Sequence, residues 1–430
     1  DIQMVEDVYW RTKSSTHATL IKNLLNTFIA QNKGSNPNDE WAWNDSNDDV
    51  LWAGLAFARG YQVTNETVFL QKAEYAFNLM YNRGWDTQLG GGIWWRQTPI
   101  DDSEKAKSAL SNSPAVVLGC YLYEFTGNQD YLTKAIAIGN WTMQVLFRTV
   151  DGGVYEHIKS TGDFSDFGNA YTNGTFVEAM NYLHRITGEN KYYDAAQKAT
   201  DFVRTYRTTD DIISRNWRAG TWQSEYLRGA GNFIRENNLW GSYYDWIRKN
   251  ANASWNAQRK DLGITWNDWT NVTAEDNKMS VLESIGGVIV QQIAPIKNPE
   301  LLENKEYALV YKSDTTKVIE NNSSNIVLSD RSANTFSTTQ KFKIISRGYG
   351  YYQLESISSA GKVLTANGDN ISFEEETGAP SQYWKIFFDN RNCYKLKPKG
   401  DTFKSLAYEN SKLILRKDKH TDDERWIFVE

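Results

Sequence analysis

The feature that most constrains this chain is a helix stop followed at once by a helix start, repeated three times at nearly equal intervals. Thr64-Asn65-Glu66-Thr67-Val68-Phe69, Thr126-Gly127-Asn128-Gln129-Asp130-Tyr131 and Thr187-Gly188-Glu189-Asn190-Lys191-Tyr192 align, with anchors Phe69, Tyr131 and Tyr192 spaced by 62 and 61 residues. A Thr-Gly step is a helix C-terminal signal, because glycine accepts the left-handed backbone past the last turn. The runs that follow are amphipathic: Tyr192, Ala195, Ala196, Ala199, Phe202, Val203 and Tyr206 recur with the helical period, as do Phe69, Ala73, Ala76, Phe77 and Met80. An interval of about 60 residues holds two helices and a loop, so the unit is a helical hairpin. Helices are expected near 15–31, 48–63, 66–82, 107–125, 128–147, 172–187, 189–206, 222–236, 239–257 and 275–294. An opening helix is then missing, unusual or hidden in residues 1–14. Long Gly/Trp loops at 83–106 and 258–274 contrast with the tight Thr-Gly turns. That asymmetry predicts a toroid of hairpins with one functional face.

Past Pro295 and Pro299 the text changes to short β-branched and aromatic runs. Gln340-Lys341-Phe342, Gln382-Tyr383-Trp384 and Glu424-Arg425-Trp426 recur every 42 residues. Three equal all-β units, each closed by a Gln-x-Trp-like turn, resemble the ricin-type β-trefoil. There each aromatic plugs the core, and closure of the three units removes exposed sheet edges. Two domains are expected, at 1–298 and 299–430. Sugar-binding ricin-type units usually carry an aspartate after the Gly-Lys-x-Leu-like strand; here those places hold Glu320, Thr365 and Ala407. A second glycan on the trefoil is therefore an expectation for one unit at most.

The net charge of −6 gives no footprint for nucleic acid or anionic membrane. Two cysteines and four scattered histidines build neither a disulfide framework nor a metal site, and no cofactor is expected. No apolar run approaches the ~18 residues of a membrane span, and Asp1 opens no signal-peptide pattern, so the start reads as processed or trimmed. Aromatics reach 14%, and several tryptophans sit in Gly-, Asn- and Asp-rich loop text, where they suit the flat face of a sugar.

Four adjacent aspartate pairs occur, and a bare pair usually caps a helix or faces solvent. Asp48-Asp49 has more context. It opens an apolar helical run after the polar, aromatic stretch Trp43-Asn44-Asp45-Ser46-Asn47. Neighbours at a helix start point roughly 100° apart, so two carboxyls can flank one small space at about 5 Å, the separation of retaining glycoside hydrolysis. Two close carboxylates do not both ionise easily, so one of them keeps a proton.

Asn47-Asp48-Asp49-Val50-Leu51-Trp52, Arg83-Gly84-Trp85-Asp86-Thr87-Gln88-Leu89-Gly90-Gly91-Gly92-Ile93-Trp94-Trp95, Tyr171-Thr172-Asn173-Gly174-Thr175-Phe176 and Gly263-Ile264-Thr265-Trp266-Asn267-Asp268-Trp269 follow in order. Together they resemble glycoside hydrolase family 76, the endo-α-1,6-mannanases, over most of residues 1–295. The resemblance implies an (α/α)6 barrel, Asp48 as nucleophile and Asp49 as acid/base. It also implies a cleft built from Asn47, Gly91, Gly92, Trp94, Trp95, Tyr171, Asn173, Trp266 and Asp268. Helix capping competes with ligand bonding at Tyr171 and Asn173, and loop packing competes at the glycines and tryptophans. The expected partner is an α-mannan polysaccharide or oligosaccharide, and the expected location is extracellular, periplasmic or at the cell surface. The alternatives are a mannan transglycosylase of the same family and a non-catalytic carbohydrate-binding scaffold.

Overall fold

A computed structural model describes residues 2–33, 41, 43–99, 101, 105–165, 169–213, 223–277, 280–322, 325–331, 335–389 and 391–430. The chain parts into two compact units. One comprises Asp1–His184, Glu189–Asn232 and Asp245–Ala294; the other comprises Arg185–Gly188, Phe233–Tyr244 and Pro295–Glu430.

Among the described residues before position 300 lie eleven helices: α1 (Ile2–Thr12), α2 (Ser15–Gln31), α3 (Asn47–Thr64), α4 (Thr67–Gly84), α5 (Ala109–Thr126), α6 (Gln129–Val145), α7 (Ala170–Thr187), α8 (Asn190–Tyr206), α9 (Gln223–Glu236), α10 (Trp240–Asn256) and α11 (Val281–Ile293). Ten fall on the expected runs, and the eleventh, α1, is the opening helix hidden in the first residues. Its inward face is charged, with Glu6 its one fully buried residue, so the apolar period never shows. Helix α11 starts later than expected, at a capping box: the Ser280 hydroxyl accepts the Glu283 amide at 3.3 Å while the Glu283 carboxylate takes the Ser280 amide at 2.8 Å.

The odd-numbered helices close a ring. Helix α1 packs on both α3 and α11, and α3 on α5. Tyr121 of α5 meets Tyr182 of α7 at 5.1 Å between ring centroids. Helices α7 and α9 cross backbone on backbone, for a Cβ at Gly174 would stand 2.1 Å from Tyr226 Cα. Gly231 of α9 lies against Ile293 of α11. The even-numbered helices α2, α4, α6, α8 and α10 pack outside. An (α/α)6 barrel has twelve helices; here, among the described residues, the interval between α11 and α1 shows no outer helix.

Where the inner helices meet, the ring is ionic. Arg59 binds Asp7 and reaches Glu6 at 3.4 Å; Arg228 binds Asp7 at 3.0 Å and Glu225 at 2.8 Å. Two guanidinium groups thus face four carboxyls, Glu178 being the fourth. Burial pushes Glu6 up to about 8 and Glu178 up to about 7, so below neutrality both hold protons and the charge count balances.

Among the described residues the second unit carries twelve short strands between Glu306 and Val429. Six of them, Glu306–Tyr311, Phe342–Ser346, Tyr351–Ser356, Trp384–Asp389, Cys393–Pro398 and Trp426–Val429, pair antiparallel in a closed cycle, the last returning to the first. The other six form three hairpins: Lys317–Asn322 with Asn325–Asp330, Lys362–Asn367 with Asn370–Glu375, and Lys404–Glu409 with Lys412–Lys417. Phe342, Trp384 and Trp426, the repeated aromatics, are buried. The indoles donate to Leu364 O (2.8 Å) and Leu406 O (3.1 Å), so each polar N–H is satisfied inside the core.

Candidate active site

Four of the connections from outer to inner helices share a device, a short bridge that pinches the loop: Trp85 with Ile93, Phe147 with Val154, Thr208 with Ile213, and Arg259 with Ile264. Three of these loops are tied down by one buried asparagine each. Asn112 Oδ1 accepts the Ile93 amide at 2.7 Å, Asn173 the Val154 amide at 3.2 Å, and Asn250 the Ile213 amide at 2.8 Å. Each side chain also donates to two backbone carbonyls, which for Asn173 are those of Gly152 (3.0 Å) and Ala199 (3.1 Å).

Asp48 and Asp49 occupy the first turn of α3, where backbone N–H groups and the helix dipole favour negative charge. Their surroundings differ. Asp48 is half-buried; its Oδ1 accepts the Asp49 amide at 3.0 Å and its Oδ2 the Trp95 indole N–H at 3.1 Å. Burial, then the neighbouring Asp49 charge, pushes the Asp48 carboxyl up to about 7. Asp49 is exposed, accepts Asn44 Nδ2 at 3.3 Å, and borders an open cavity of about 390 Å³ lined also by Gln3, Trp41, Trp43 and Trp52. One carboxyl is thus fixed and keeps its proton toward neutrality; its neighbour faces an aromatic groove.

The other expected cleft residues separate into four groups. Trp94 and Trp95 are half-buried beside the pair, and Trp95 holds Asp48 directly. Asn47, Gly91, Gly92 and Asn173 are buried and engaged within the protein. Asn47 is fully buried, donating to Trp94 O at 2.7 Å and accepting Arg83 Nε at 2.7 Å, so it positions the loop. Gly91 and Gly92 take φ of +126° and +86° against the Trp141 indole, where a Cβ on Gly92 would stand at 2.6 Å. The backbone's close approach there is to tryptophan. Asn173 is fully buried in its loop tie. Tyr171 lies inside α7 instead of preceding it; it is buried with Leu110 against Trp52, one turn beyond Asp48. Trp266 and Asp268 belong to the 258–274 loop. There the Asp268 carboxylate organises a local turn, accepting Thr270 N (3.0 Å), Thr270 Oγ1 (2.6 Å) and Asn271 Nδ2 (3.2 Å).

A family profile described as Glycosyl hydrolase family 76 matches residues 2–299. The chain belongs to glycosyl hydrolase family 76. A second profile, the Clostridium botulinum HA-17 domain, matches residues 344–430. Mannan endo-1,6-alpha-mannosidase DFG5 of Candida albicans is 27% identical over 218 residues, 48% of each chain. The Saccharomyces cerevisiae DFG5 protein of the same description is 23% identical over 308 residues, covering 65% of this chain and 66% of that one. The family 76 chain thus spans about half the length of the curated relatives it matches, up to two thirds in the yeast case. Among solved structures, the GH76A alpha-1,6-mannanase of Salegentibacter superposes with a TM-score of 0.61 at 24% identity, over 68% of this chain and 86% of that one. A variant of that enzyme with two adjacent aspartates replaced by asparagine is described as inactive and holds alpha-1,6-mannotriose (TM-score 0.60, 23% identity, the same coverage). These likenesses give this family 76 member the helical barrel fold of its relatives.

Sequence reasoning passed over Lys107 and the ionic ring in this family 76 chain. Lys107 reads as one more loop cation, yet its side chain is wholly buried and bonds Asp86 at 2.6 Å. The carboxyls and arginines of the ring sit on separate helices, and no local spacing joins them.

Proposed function

We propose that the chain is a retaining, endo-acting glycoside hydrolase that cleaves α-1,6-mannosidic bonds in a mannan backbone, with Asp48 as nucleophile and Asp49 as proton donor. One observation carries the reading: a half-buried carboxyl held by two N–H donors stands beside an exposed carboxylate on a tryptophan-lined groove. The named activity of the relatives and the inactive double variant with its bound mannotriose support it. In this mechanism Asp48 attacks the anomeric carbon while the glycosidic oxygen takes a proton from Asp49. Asp49 then removes a proton from water, which displaces Asp48 and releases a sugar of retained configuration. The step needs Asp48 ionised and the proton on Asp49, and a sugar over Asp49 favours that arrangement by excluding water from it. The tryptophan faces offer stacking surface for the pyranose rings.

The closed six-strand cycle with three hairpins and the HA-17 match support a β-trefoil for residues 299–430. In that reading Thr365 and Ala407 are buried and the Glu320 carboxylate accepts the Thr339 hydroxyl at 2.8 Å, so the usual sugar-binding places are taken up internally. Action on such a polysaccharide fits a location outside the cell membrane.

On linear α-1,6-mannan, Asp48→Asn and Asp49→Asn should each lose about 10²-fold or more of kcat. Full activity in either variant rejects the assignment, and products longer than the substrate would mark transfer in place of hydrolysis.

A further inference from the structure

The loop that carries Trp95 is fastened by a cation with no exposure at all. Lys107 Nζ donates to Asp86 Oδ1 (2.6 Å), Gln88 O (2.7 Å) and Gly91 O (2.6 Å), which uses all three ammonium protons. It also lies 4.7 Å from the centroid of the Trp94 ring, whose indole N–H donates to Asp86 at 2.7 Å. Burial of an ammonium costs several kcal/mol unless each proton is paired, and here each one is. The turn it holds has Leu89, Gly90, Gly91 and Gly92 all at positive φ. The Trp141 indole on Leu89 O at 2.9 Å and the Asn112 amide on Ile93 fasten it as well.

From that clamp, contacts run without a break to the catalytic pair. The Trp94 carbonyl accepts Asn47 Nδ2, Trp95 N–H donates to Ala106 O (2.8 Å), and Asn47 N–H donates to Trp95 O (2.8 Å). Trp95 then gives its indole proton to Asp48. We propose that Lys107 is a positioning residue that sets the Trp95 indole against Asp48, so that its loss is read at the Asp48 carboxyl, two contacts away from the ammonium itself. The proposal rests on the assignment of Asp48 to the reaction only for its kinetic consequence. The placement of the indole stands independently.

Burial and then the Asp49 carboxylate raise the Asp48 pKa, while the Asp49 and Asp48 backbone N–H groups on its own helix and the Trp95 indole from the loop lower it. Removing the indole bond must therefore raise the pH at which Asp48 ionises. The test follows the Trp95 indole N–H resonance, assigned with Trp95→Phe, through a pH titration of the full-length protein. In the wild type it should titrate with Asp48, near pH 7. In Lys107→Met it should lose its hydrogen-bonded shift and its titration. The pH at which kcat/KM falls should move upward as in Trp95→Phe, and the double variant should add nothing further. Asp86→Asn, at a half-buried position, should give a partial version of the same change if Lys107→Met does not fold. An unchanged indole titration in either variant overturns the proposal. A changed indole titration in a protein with no mannan-cleaving activity leaves the clamp standing and removes the hydrolase reading.

Discussion

At the scale of single residues, the two neighbouring acids differ because one side chain turns toward the loop and the other toward the groove. In the proposed mechanism the pair must carry one proton to act, and the Asp48 proton leaves as pH rises through about 7, the value to which burial and the Asp49 charge push it. On linear mannan kcat/KM should therefore fall above about pH 7, whichever oxygen holds the proton. A flat profile from pH 6 to pH 9 would contradict the pairing. Trp95→Phe removes a donor that favours the ionised form, so its profile should fall at higher pH than that of the wild type.

At the scale of elements, the hairpin repeat and ten helices could be read from the sequence because both rest on local apolar spacing and Thr-Gly stops. The asparagine ties were hidden for a physical reason. Asn173 bonds Gly152 and Ala199, partners 21 and 26 residues away, and a buried amide looks in sequence like any loop asparagine. The same residue belongs to the motif by which the family is recognised, so its loop bonds and a ligand contact look alike in sequence. Gly91 and Gly92 share that ambiguity, since positive φ is visible in a glycine run but the indole it accommodates lies on α6. Asn173→Ala leaves one buried donor and two buried acceptors without their partner. It should cost about 3 kcal/mol or more and lower the melting midpoint by several degrees, with KM for mannan unchanged in the folded protein. A raised KM at unchanged stability would return Asn173 to the cleft.

At the scale of the molecule, the ionic ring makes the stability of the helical unit depend on pH. Glu6 and Glu178 keep their protons in the folded chain up to about 8 and 7, whereas in the unfolded chain they lose them near 4.5. Across that window the unfolded state binds fewer protons, so stability declines as pH rises from about 5 to about 8. Each group contributes at most on the order of 3–4 kcal/mol to the decline. Glu6→Gln, which is neutral at every pH, should flatten the slope of melting midpoint against pH and raise the midpoint at pH 8. A slope identical to that of the parent would show that Glu6 ionises freely in the fold.

The single-amide fastening of the rim has a consequence for how such a scaffold changes. The knot lies at the base of each loop, at Ile93, Val154 and Ile213; in the first loop Lys107 fastens the tip a second time, and Gly90 stands open at its end, where an added side chain would meet nothing within 4 Å. Residues inserted beside Gly90, with Asp86, Gln88 and Gly91 kept for Lys107, should therefore alter which branches of a polysaccharide are admitted before they alter whether the protein folds.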